Sequence, residues 1–208
     1  MALDLDDQEQ LDELKLWWNK YGKMTISLVL LALIIYASWQ GYQYVQHKKA
    51  VEASEIYQSL GELDPSKVDD IKALSHQLTT DYAGTPYAGR AAVLQARSQY
   101  IGGDIKGAKS QLEWAVVNAT ETSIKAVASL QLARVLLADK DYAGAEKVLS
   151  AEIDAGYIGL KDDLLGDVLL AQGKIVEAKE RYTAAIANLD SEGRFYMLTK
   201  QKLQSLGS

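Results

Sequence analysis

The longest uninterrupted apolar pattern lies near the N-terminus, where residues 24–46 carry no formal charge over 23 positions. Its centre, MTISLVLLALIIYA, is apolar on every face of a helix and leaves no polar stripe for water. At about 1.5 Å per residue such a helix reaches roughly 34 Å, enough for a hydrocarbon core of about 30 Å. Trp17, Trp18 and Tyr21 precede the segment, and Trp39, Tyr42 and Tyr44 close it, as amphipathic rings do at two membrane interfaces. The pattern predicts an uncleaved signal-anchor. A buried core helix would use only Met24 to Ala37, and nothing downstream needs it. A cleavable signal peptide needs small residues before its cleavage point, whereas Ser38-Trp39-Gln40 follows Ala37. An interfacial helix needs a charged face. Lys15, Lys20 and Lys23 on one side, against Lys48 and Lys49 on the other, lean only slightly towards a cytoplasmic N-terminus.

Downstream the pattern changes to a repeat. The stretch 133-ARVLLADKDYAGAEKVL-149 matches 166-GDVLLAQGKIVEAKERY-182 at a constant offset of 33 residues, pairing Ala133/Gly166, Leu136/Leu169, Lys140/Gly173, Ala145/Ala178 and Leu149/Tyr182. An earlier copy, 96-ARSQYIGGDIKGAKSQL-112, lies 37 residues before the second, with Gln99 where a large apolar residue is usual. A small residue (Ala96, Ala133, Gly166) lets a first helix approach its partner closely. Twelve residues later Ala108, Ala145 and Ala178 do the same on the returning helix. Polar turns reverse the chain between them, and each pair leaves an apolar face for its neighbour. The spacing resembles the tetratricopeptide repeat, whose unit is about 34 residues.

These patterns predict an all-α chain: an N-terminal transmembrane helix followed by a tetratricopeptide-repeat-like helical solenoid. Residues 1–23 form an acidic tail, 24–46 the span and 47–208 the repeat domain, with units at about 89–120, 126–155 and 159–190. Lys48 to Leu60 continues the helix until Asp64-Pro65-Ser66 breaks it, and a second helix runs from Val68 towards Gly84-Thr85-Pro86. The segment 194–206 reads as a closing helix, its Lys200, Gln201, Lys202 and Gln204 giving the stack a polar outer surface.

Composition narrows the function. The chain has 208 residues, net charge −6, no cysteine and only Pro65 and Pro86 as helix breakers. A chain without basic excess is a poor nucleic-acid binder. Without cysteine there is no disulfide, thiolate metal site or thiol nucleophile. His47 and His76 stand alone, so no metal, cofactor or small-molecule substrate is expected. The pairs Asp69-Asp70 and Asp162-Asp163 do not converge, because adjacent helical residues point in different directions. They read as solvated helix starts. Gly102-Gly103 is a turn between helices. No catalytic set emerges, and the expectation is a protein-binding module rather than an enzyme.

The order of acidic tail, single span and a few repeats resembles a bacterial family, the YfgM-like ancillary subunits of the SecYEG translocon. The approach 17-WWNKYGK-23, the span from Met24, the Trp39-aromatic exit and the two long repeat copies carry that resemblance. It implies an inner-membrane protein with its N-terminus in the cytoplasm and its repeats in the periplasm. Its implied partners are SecYEG, a PpiD-type periplasmic chaperone and exported polypeptides, with chaperone-like help after translocation and no enzymatic activity. In the repeat class the first helices line a concave groove, which here implies Arg90, Arg97, Tyr100, Arg134, Leu137, Asp163, Asp167 and Leu170 as partner-binding residues. The competing reading is that these side chains are solvated or pack on a neighbouring helix. Two alternatives stay open: a cytosol-facing regulator or adaptor of cell-envelope assembly, and a soluble protein whose segment 24–46 packs internally.

Overall fold

The computed structural model describes residues 3–64 and 66–207, with side chains from Gln10 onward. Pro65 of the expected helix break, Ser208 at the C-terminus, and the side chains of Asp4, Asp6, Asp7 and Glu9 lie outside the described residues. All regular structure among those residues is helical, and the chain divides into two compact units, Met1–Lys48 and Lys49–Ser208.

The first unit belongs to one long helix, α1 (Leu3–Glu62), which runs on into the second. Ser27 and Thr25 return their hydroxyls to backbone carbonyls one turn earlier, Ser27 to Lys23 O at 2.9 Å and Thr25 to Tyr21 O at 3.1 Å. These two hydroxyls are therefore satisfied within the helix. Leu28, Leu31, Ile34, Ile35 and Trp39 are all more than half exposed, and none of the most apolar window is buried. Among the described residues this is the one helix long and apolar enough to cross a membrane.

The second unit stacks helical hairpins. The end of α1 packs with α2 (Val68–Asp81) and α3 (Pro86–Ile101) around Ala53, Leu60, Ile71, Leu78 and Ala91. A larger core joins α3 to α4 (Ile105–Asn118), α5 (Thr122–Ala138), α6 (Tyr142–Ser150) and α7 (Ile158–Ala171) through Ala96, Ala108, Leu112, Leu132, Leu136 and Leu149. A third cluster, around Leu169, Ala178 and Tyr182, unites α7 with α8 (Ile175–Asn188) and α9 (Arg194–Ser205). From α2 onward each helix touches the next, and α3, α5 and α7 also touch one another in turn. That i-to-i+2 contact makes a solenoid rather than a bundle.

The small residues sit where helices meet most closely. Ala96, Ala108, Ala133, Ala145 and Ala178 are 0–1% exposed. At Gly166 a Cβ would stand 2.5 Å from the Tyr182 ring, so glycine here accommodates a tyrosine where the preceding repeat pairs Ala133 with Leu149. The hairpin turns repeat too. Gly103, Lys140 and Gly173 share positive φ values of 85°, 62° and 78°. Asp104 and Asp141 then cap the returning helices, accepting from Gly107 N and Gly144 N, each at 2.9 Å. In the third unit Lys174 occupies that position without a side-chain cap.

Two expectations are corrected. Asp162 and Asp163 are the fifth and sixth residues of α7, buried to 7% and 8% exposure rather than solvated at a helix start. Each is neutralised from a later helix, Asp162 by Arg181 at 3.4 Å and Asp163 by Lys202 at 2.9 Å. The outer surface of α9 is not uniformly polar, because Lys202 turns inward to that carboxylate while Phe195, Met197 and Leu198 remain exposed.

Candidate functional site

The inner helices α3, α5 and α7, with α9 beyond them, carry side chains that close two adjoining hollows. The first, of about 380 Å³, is lined by Ala96, Arg97 and Tyr100 of α3, Leu112 of α4, and Gln131, Arg134 and Val135 of α5. Arg97 and Arg134 stand one repeat apart. Both are exposed, and neither makes an ion pair or side-chain hydrogen bond among the described residues. Tyr100 is 44% exposed beside them. The second hollow, of about 420 Å³, shares Arg134 and adds Asp163 and Asp167 of α7 with Phe195, Leu198, Gln201, Lys202 and Ser205 of α9.

The acidic side of the second hollow is held within the chain. Lys202 Nζ donates to both oxygens of Asp163 at 2.9 and 3.0 Å and to Asp167 Oδ2 at 2.8 Å. Thr199 Oγ1 donates to Asp163 Oδ1 at 2.7 Å, and Tyr182 OH donates to Asp167 Oδ1 at 2.8 Å. Burial, reinforced by the hydrogen bond to Asp167, pushes the Tyr182 phenol far above its ordinary value and keeps it a neutral donor. The network ties α7, α8 and α9 together and leaves these two carboxylates little free capacity.

The groove residues expected from sequence therefore separate. Arg97, Tyr100 and Arg134 come together in one hollow, and Asp163 and Asp167 line the next. Arg90 lies elsewhere, its guanidinium donating to Glu121 from Nε at 2.8 Å and Nη2 at 2.7 Å. That fork raises the Arg90 pKa and holds the Glu121 carboxyl below its usual range. Leu137 packs against the main core, and Leu170 against the cluster around Tyr182. Neither is among the residues lining these two hollows. Gln131, Phe195 and Leu198 are not among the expected groove residues, and the sequence marks Lys202 only as part of a polar outer surface. Gln201 stands 34 residues after Asp167, one repeat step, so extending the period into the closing helix would have reached them. Among the described residues no group of three or more His, Cys, Asp or Glu is placed to hold a metal ion.

Comparison with known proteins agrees with this architecture. Residues 15–208 match the model of a family described as a tetratricopeptide repeat-like domain. The chain is 30% identical over 210 residues to the ancillary SecYEG translocon subunit of Neisseria gonorrhoeae, covering 99% of this chain and 100% of that protein. It is 24% identical to the protein of the same name from Haemophilus influenzae, over 89% of this chain and 91% of the other. The Escherichia coli protein of that name is 25% identical, over 89% and 90%. With a span-length apolar helix, stacked hairpins and likeness along nearly its whole length, the chain belongs to the family of ancillary SecYEG translocon subunits built on a tetratricopeptide repeat-like domain.

Proposed function

We propose that the chain is a membrane-anchored, chaperone-like adaptor of the Sec translocon, whose groove holds exported polypeptides as they emerge into the periplasm. Its setting is the inner membrane, with the N-terminus in the cytoplasm, the repeats in the periplasm and a PpiD-type chaperone beside it. The observation that carries this reading is the hollow between α3 and α5, where exposed arginines and a tyrosine border an apolar wall. Arginine and aromatic side chains at such a wall are the residue types that anchor protein interfaces. Tethering adds the rest. An anchored domain meets its partner at high effective concentration, so individually weak contacts suffice and clients can leave.

The test is photo-crosslinking in cells from a benzoylphenylalanine at Tyr100, compared with one at Lys147, which is exposed on the outer helix α6. Position 100 is expected to capture translocon components or exported chains and position 147 much less. Capture of cytosolic proteins alone would contradict the reading.

A further inference from the structure

The first hollow also carries information about which polypeptides fit it. We propose that Arg97 and Arg134 together receive a carboxylate of an extended, acidic polypeptide segment, with the Tyr100 ring alongside; this rests on the groove being the binding surface. The chain is acidic, with 28 Asp and Glu against 22 Lys and Arg. Yet among the described residues no Asp or Glu lines this hollow. Arg90, Arg181 and Lys202 each find a carboxylate on another helix. Arg97 and Arg134 find none among the described residues. Two exposed guanidiniums without counter-ions among the described residues, beside Ala96, Leu112 and Val135, give this hollow a positive face. Their planar forks match carboxylate oxygens two at a time.

Both arginines lie in the C-terminal halves of their helices, so the guanidinium forks rather than a helix N-terminus supply the donors in this hollow. The adjoining hollow sets the order of the ligand. Lys202 is already engaged there by Asp163 and Asp167 and offers little to a second carboxylate, whereas exposed Phe195 and Leu198 suit an apolar side chain. The matching segment is therefore acidic at one end and apolar beyond it.

The test uses the full chain in phosphatidylcholine nanodiscs and a fluorescein-labelled, end-capped octapeptide with an Asp-Glu pair followed by Leu-Phe. A second probe replaces the acids by Asn-Gln. The acidic probe is expected to bind about tenfold more tightly than its amide twin, to lose about tenfold in Arg97→Gln or Arg134→Gln, and to weaken with salt. Equal binding of the two probes to the unmutated chain overturns the proposal without relying on any variant. If Leu198→Asp then weakens both probes, the groove survives as the binding surface and only its acidic preference fails. Binding of neither probe overturns proposal and groove alike. Displacement of the acidic probe by inorganic phosphate, but not by chloride at matched ionic strength, would replace the polypeptide by a phosphate ligand.

Discussion

Helices α3 and α5 hold the same place in successive repeats and are built from opposite materials. Stepping by 37 residues, Leu132 of α5 corresponds to Gln95 of α3, Val135 to Ser98 and Leu136 to Gln99, and all six are buried. Each of the three polar members keeps a side-chain oxygen without a partner among the described residues: Gln95 Oε1, Ser98 Oγ and Gln99 Oε1. Close approach is preserved by Ala96 and Ala133, so both helices take the same position. The fold is thus specified by small residues at the contacts and by turn chemistry. Cohesion comes from the larger apolar side chains, which fill these three buried positions in α5, whereas α3 contributes only the partly buried Tyr87, Val93 and Leu94. In a solenoid, where stability adds up from neighbouring interfaces, the layer around α3 is the part that opens first.

That contrast can be broken at its strong side. Leu136→Ala should cost about 2–5 kcal/mol by emptying a well-packed site, read as a lower Tm and denaturation midpoint, whereas Gln99→Ala costs far less. An equal loss at both positions would remove the distinction. Gly166→Ala, which drives a Cβ into the Tyr182 ring, should cost about 1–3 kcal/mol by overpacking. Ala133→Ser, opposite the smaller Leu149, should cost less in the same melting assay.

The contrast can also be erased from the weak side. Gln99→Leu, which gives up only the bond from Nε2 to the exposed Asp104 at 3.1 Å, should stabilise by about 1 kcal/mol. Hydrogen exchange of α3 amides would slow in parallel. Lys140 holds at φ 62° the turn position that Gly103 and Gly173 fill in the other repeats, so Lys140→Gly should gain up to about 1 kcal/mol. The smallest effect is acid sensitivity at the Arg90–Glu121 fork. The Glu121 pKa is lowered in the folded state, so its contribution is present above the ordinary value of 4.5 and fades as pH falls through the lower folded value. Because the pair is partly exposed, with side chains 40% and 29% accessible, the loss should stay below about 1 kcal/mol. Comparing acid melts of the native chain and Glu121→Gln measures it.

How legible each part was follows from the range of its physics. Charge-free residues 24–46 and the recurring Ala96, Ala133 and Gly166 are local or periodic signals, and the structure uses them as spacing implies. Gln99 announced itself as a departure from the repeat; Gln95 and Ser98 did not, because polar residues on a short helix read as surface until its buried face is known. The pairing of Asp163 with Lys202 spans 39 residues and joins helices from different repeats, a contact that no periodicity encodes. The hollow around Arg97 and Arg134 was half visible. The repeat step placed two arginines in register, while the walls supplied by Leu112 and Val135 required three-dimensional packing.

Everything functional depends on which side of the membrane that hollow faces. A reporter active only outside the cytoplasm, fused after Ser208, should be active in the intact chain. Activity of a cytoplasm-only reporter at the same site would contradict it, because a groove in the cytoplasm never meets chains that have already crossed.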